Sequence, residues 1–133
     1  MKNKLFIGII FGSLLSFNSV SKAEIKEWNL LVYINGVNSL DSYGSMNINQ
    51  MEEHGSNDQM NILVQWGSYA FPEGRRLLVH KDNDTKAVTS PIVDTVSNPD
   101  FGNSNELLNF VKWAEKNYPA KHYFIVVWNH GNG

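Results

Sequence analysis

The sequence predicts an α/β fold, a mainly parallel sheet with helices on both faces and a small β excursion beside it. Three apolar runs point to this, Trp28 to Ile34, Met60 to Trp66 and His122 to Trp128. Each is largely apolar, as strands covered on both faces are, rather than alternating like a surface ribbon. Helical patterns lie between the runs, which implies right-handed crossovers between parallel strands. At 133 residues the chain holds one domain at most.

Taken in order, the chain begins with a segment that does not belong to the fold. Lys2 and Lys4 precede an apolar run from Leu5 to Val20, and Ser21-Lys22-Ala23 offers small residues for cleavage. This is the pattern of a secretory signal peptide over residues 1–23, with a mature domain from residue 24 to 133. No cysteine follows the run to take a lipid anchor, so the expected product is secreted or periplasmic with no membrane anchor after cleavage.

The first strand, Trp28 to Ile34, closes at Asn35-Gly36. Asn38 to Glu53 reads as a moderately amphipathic helix on Leu40, Tyr43, Met46, Ile48 and Met51, weakened by Gly44 and stopped at His54-Gly55. Met60 to Trp66 is the second buried strand. Arg75 to Lys81 has polar ends and is expected nearer an edge. Ala87 to Val96 adds a short extended piece that Pro91 keeps out of a sheet centre. In the second helix Asn103 is the cap, Glu106 sits three residues on, and Leu107, Phe110, Val111 and Ala114 form the apolar face. Tyr118-Pro119 ends it, and the last strand runs to Trp128.

Composition excludes several functions. Without Lys2, Lys4 and Lys22 the chain carries 8 basic against 13 acidic residues, which argues against a nucleic-acid partner. No glycine pattern forms a phosphate loop or a dinucleotide fingerprint. Asp82-Asn83-Asp84 fails as a calcium loop, because Lys86, Ala87 and Val93 stand where ligands and the turn glycine belong. A turn is the reading there, and Arg75-Arg76 reads as a solvated strand start. His54 suits a helix C-terminus, while His80 and His122 read as solvated.

His130 differs by position. An apolar strand delivers it into the Asn129-His130-Gly131 turn, and open α/β sheets place their chemistry at the C-terminal ends of strands. A turn residue remains the plain alternative. The chain has no cysteine, and none of its serines sits in a nucleophile elbow.

Together, Trp28 through Gly36, Asn38-Ser39-Leu40, Met51-Glu52 before Gly55-Ser56, and Asn61-Ile62-Leu63-Val64-Gln65 begin a recognisable series. Arg75-Arg76, Phe110-Val111-Lys112-Trp113-Ala114, Tyr118-Pro119-Ala120 and Trp128-Asn129-His130-Gly131 complete it. In this order and spacing they resemble the amino-terminal part of the clostripain family of cysteine peptidases, similar in fold to caspases and gingipains. The resemblance implies the first half of a caspase-haemoglobinase-like fold in a secreted endopeptidase cleaving after Arg or Lys. It makes His130 the catalytic histidine and Gly131 the oxyanion-holding glycine. The family's cysteine and acidic pocket would lie beyond Gly133, so a Cys-bearing second half or heavy chain is the implied partner, a protein or peptide the substrate, and the 133-residue chain alone is expected to be inactive. Val37 stands where the family usually has an acid. Calcium is implied by resemblance only. The competing expectation is a catalytically inactive envelope binding module derived from the same fold.

Overall fold

The computed structural model describes residues 25–131, so the leader expected over residues 1–23 lies outside it. The elements are β1 (Lys26–Asn35), α1 (Asp41–Glu52), β2 (Met60–Gly67), β3 (Gly74–Leu78), β4 (Ile92–Val96), α2 (Ser104–Asn117) and β5 (Ala120–Trp128). They build a five-stranded sheet in the order β4-β3-β2-β1-β5. β1 pairs in parallel with both β2 and β5, as the three apolar runs require. The β excursion does not stand apart: β3 and β4 extend the same sheet antiparallel, which makes it mixed. Among the described residues no helix is long and apolar enough to cross a membrane.

Helices cover both faces. Period-2 alternation sends Val32, Ile34, Ile62 and Val64 to one face, where they pack with Ile48 of α1. Leu31, Tyr33 and Leu63 go to the other face, against Phe110 and Ala114 of α2. The cap expected for α2 is present, with the Asn103 side chain accepting from the Asn105 N–H. Gly44, a weak helix former, is buried in α1 for a reason that spacing does not reveal. A Cβ there would lie 3.0 Å from Trp66 Nε1 and 3.3 Å from Ile34 Cγ2. The close approach of α1 to β1 and β2 outweighs the roughly 1 kcal/mol that glycine costs in a helix.

β3 lies next to one edge of the sheet, and β4, which begins directly after Pro91, takes the edge itself. One expectation needs correction, because the two arginines at the start of β3 are not both solvated. Arg76 is 7% exposed, donating to Gln65 Oε1 at 2.8 Å and Asp94 Oδ2 at 2.9 Å, with its guanidinium 4.8 Å from the Trp113 ring centre. Burial lowers its pKa and the Asp94 carboxylate opposes that, so the charge is kept by pairing rather than by water.

Other buried polar groups tie distant segments together. Asn29 donates to the Tyr118 carbonyl at 2.6 Å and accepts from Asn61 at 2.9 Å, joining β1 to β2 and to the α2–β5 junction. Glu52, fully buried at the end of α1, takes the backbone N–H groups of Thr89 and Ser90 on Oε1 at 3.0 and 2.7 Å. This fixes the connection between β3 and β4. At the far end of the sheet, the outer edge of β5 has no strand beside it among the described residues, and its Phe124, Ile125 and Val127 are exposed.

Glu52→Ala strands two buried N–H donors and is expected to lower stability by about 2–4 kcal/mol. Glu52→Gln keeps an acceptor and should retain most of it, as urea unfolding followed by circular dichroism would measure. Equal losses for both variants would show that charge, not acceptance, matters there. The bare edge of β5 leads to a second expectation, that the protein self-associates through that strand. The pair Phe124→Lys and Val127→Lys should give a monodisperse species by light scattering with an unchanged spectrum; unchanged association would place the contact elsewhere.

Candidate active site

Parallel pairing of β1 with β5 brings two loops to one place. Ile34 lies opposite Trp128, so the two strands end at the same level and their C-terminal loops start side by side. After β1 the chain turns over the end of β2, where Gly36 N–H donates to the Gly67 carbonyl at 3.1 Å. A Cβ on Gly36 would lie 2.5 Å from that oxygen, so only glycine permits this path.

Asn38 then locks the turn. Its side-chain amide donates to the Asn35 carbonyl at 2.8 Å and to Asn129 Oδ1 at 3.1 Å, while its own Oδ1 accepts the Leu40 N–H at 2.8 Å. One asparagine thus fastens the loop after β1 to itself and to the loop after β5. Asn129 Oδ1 also accepts the His130 N–H at 2.8 Å, which sets the backbone that carries the histidine. His130 projects from this turn, exposed to solvent, with Nε2 3.3 Å from Ser39 Oγ. Gly131 follows with φ +78° and nothing within 4 Å of an added Cβ. Glycine is demanded there by backbone conformation, not by packing.

Of the residues singled out by sequence, His130 and Gly131 are therefore adjacent at the C-terminal rim of the parallel strands. Asn38 and Ser39, read above as a helix start and as part of a block of resemblance, were missed as neighbours of His130. The signal that could have found them is topological: in neighbouring parallel strands, the loops after both C-terminal ends must meet. The other histidines stand apart. His54 and His80 are exposed, and His122 sits against Trp28 with ring centres 4.7 Å apart and Nε2 3.5 Å from Glu27.

Asp82 and Asp84 are spent on their own turn, accepting the N–H groups of Asp84 and of Lys86 and Ala87. Among the described residues no group of three or more His, Cys, Asp or Glu side chains is placed to hold a metal ion. No step below runs through the calcium that resemblance implies.

An exposed imidazole on a turn held by Asn129 has the chemistry for proton transfer at the rim of the sheet. The model of the clostripain family matches residues 32–133. A cysteine protease from B. fragilis superposes with a TM-score of 0.68 at 26% identity, covering 82% of this chain and 92% of that one. A secreted C11 cysteine protease from Bacteroides thetaiotaomicron, solved with an irreversible peptide inhibitor, gives 0.63 at 26% identity over 81% of this chain and 30% of its own. A clostripain from Bacteroides thetaiotaomicron in complex with a peptide inhibitor shares the fold at a TM-score of 0.68 and 16% identity, with 83% of this chain and 95% of that chain covered. No curated protein matches the sequence. The five-stranded sheet, the helices on its two faces and the family match over most of the chain lead to one statement: this chain belongs to the clostripain family of cysteine peptidases.

Proposed function

We propose that the chain is the histidine-bearing amino-terminal part, residues 24–133, of a secreted or periplasmic cysteine endopeptidase that cleaves after Arg or Lys. Its nucleophile is a cysteine from outside these 133 residues, which contain none. The observation that carries this reading is the placement of His130 at the C-terminal end of β5, next to an open sheet edge. The signal-peptide pattern of residues 1–23 and a relative described as secreted support the location. The preference for Arg or Lys rests on family resemblance.

In this reading the thiolate attacks the peptide carbonyl carbon and the oxygen becomes an oxyanion facing the Gly131 N–H. The His130 imidazolium gives its proton to the leaving amine, and the C–N bond breaks to leave a thioester. Neutral His130 then takes a proton from water as the resulting hydroxide attacks the thioester carbon, the C–S bond breaks to release the thiolate beside the His130 imidazolium, and the new carboxylic acid loses its proton to solvent. The first product is the free amine and the second the new carboxylate.

The exposed apolar edge of β5 favours a second reading, a catalytically inactive binding module that takes a partner strand on that edge. His130→Ala in the complete peptidase separates the two. Cleavage of an Arg- or Lys-containing peptide should fall by roughly 10²–10⁴-fold, with unchanged thermal stability because the side chain is exposed. Surviving cleavage would leave His130 structural and remove the peptidase reading. Gly131→Ala meets no steric obstacle but must adopt a left-handed backbone, which costs about 1 kcal/mol. It should lower kcat about tenfold with KM nearly constant; a change confined to KM would remove Gly131 from oxyanion binding.

A further inference from the structure

We propose that Ser39 is a positioning residue for His130, its hydroxyl accepting from Nε2–H so that Nδ1 is the nitrogen that exchanges protons in the reaction. This rests on the reading of His130 as the catalytic acid and base. Three features carry it. Ser39 Oγ lies 3.3 Å from His130 Nε2, although 91 residues separate the two in sequence. The hydroxyl is not on a free loop. Asn38 on one side is bonded to Asn35, Leu40 and Asn129, and on the other side Asp41 begins α1 and accepts the Tyr69 N–H at 3.3 Å. The third feature is the shared anchor: Asn129 Oδ1 takes both the Asn38 amide and the His130 N–H, so serine and histidine are set against each other by one oxygen.

The chemistry supplies the direction of the bond. A base that must accept a proton from a thiol needs one ring nitrogen unprotonated and the other held as N–H by an acceptor. A hydroxyl oxygen can fill that role without adding charge, and it continues to accept when the ring becomes imidazolium. Ser39 as the nucleophile is the less fitting role, because its turn is no strand-to-helix elbow.

The test compares Ser39→Ala and Ser39→Thr with wild type by two readouts. In the complete peptidase, Ser39→Ala should lower kcat roughly 2–10-fold, the range expected from losing one exposed neutral hydrogen bond, with KM unchanged. Ser39→Thr should restore it. In the 133-residue chain, histidine-selective nuclear magnetic resonance should show the Nε2–H tautomer of His130 depleted in Ser39→Ala and recovered in Ser39→Thr. Unchanged kinetics and tautomer in Ser39→Ala would overturn the proposal while leaving His130 catalytic, whereas full activity of His130→Ala would overturn the underlying reading. Complete loss of activity in Ser39→Ala together with fluorophosphonate labelling of Ser39 would make it a nucleophile and also overturn the proposal.

Discussion

β1 pairs in parallel with β2 along one edge and with β5 along the other, and the rest of the molecule is arranged to satisfy that double pairing. Each parallel pair needs a crossover that leaves one end of the sheet and returns at the other. The α1 crossover runs from β1 to β2, the α2 crossover runs the other way across the sheet from β4 to β5, and right-handed connections in opposite directions put their helices on opposite faces. The structure follows: α1 covers the face of Val32 and Ile34, and α2 covers the face of Leu31 and Tyr33. The loops after β1 and β5 meet at the C-terminal ends of these strands, and Ser39, Asn129 and His130 lie where they meet.

A strand so buried has no water to satisfy polar groups, and the few it carries are used as fasteners. Asn29 spans β1, β2 and the start of β5 with side-chain bonds alone. Glu52 and Arg76 do the same for the β excursion, one through two backbone N–H groups and the other through Gln65 and Asp94. Each group would cost several kcal/mol if buried unpaired. Their pairing therefore adds specificity more than net stability, by making other registers of β3 and β4 expensive.

Much of this was legible in the chain. The three apolar runs identified the parallel strands, of which β1 and β2 are covered on both faces while β5 stays exposed, and α2 declared itself through Asn103, Phe110 and Ala114. Pro91 marked the edge at β4. The failures have a common cause, since each concerns a residue whose meaning depends on a neighbour far away in sequence. Arg76 reads as solvated until Trp113 and Asp94 are beside it. Gly44 reads as a weak point until Trp66 is seen to need the space. Ser39 is one of several polar loop residues until β5 is placed beside β1. The histidine could be singled out by its own strand, but its partner could not.

β5 combines two properties that explain each other under the proposed function. Its apolar residues point to both faces, yet only one of its edges is paired, so Phe124, Ile125 and Val127 stay in water. A strand added in parallel on that open edge would cover those side chains and continue the alternation of the sheet. It would also end at the level of Trp128, which puts the residue after it next to His130 on the side away from Ser39. Covering the edge and delivering a nucleophile to the histidine are then one event. In that reading Ser39 would hold the imidazole from the β1 side, and the incoming strand would meet it from the other.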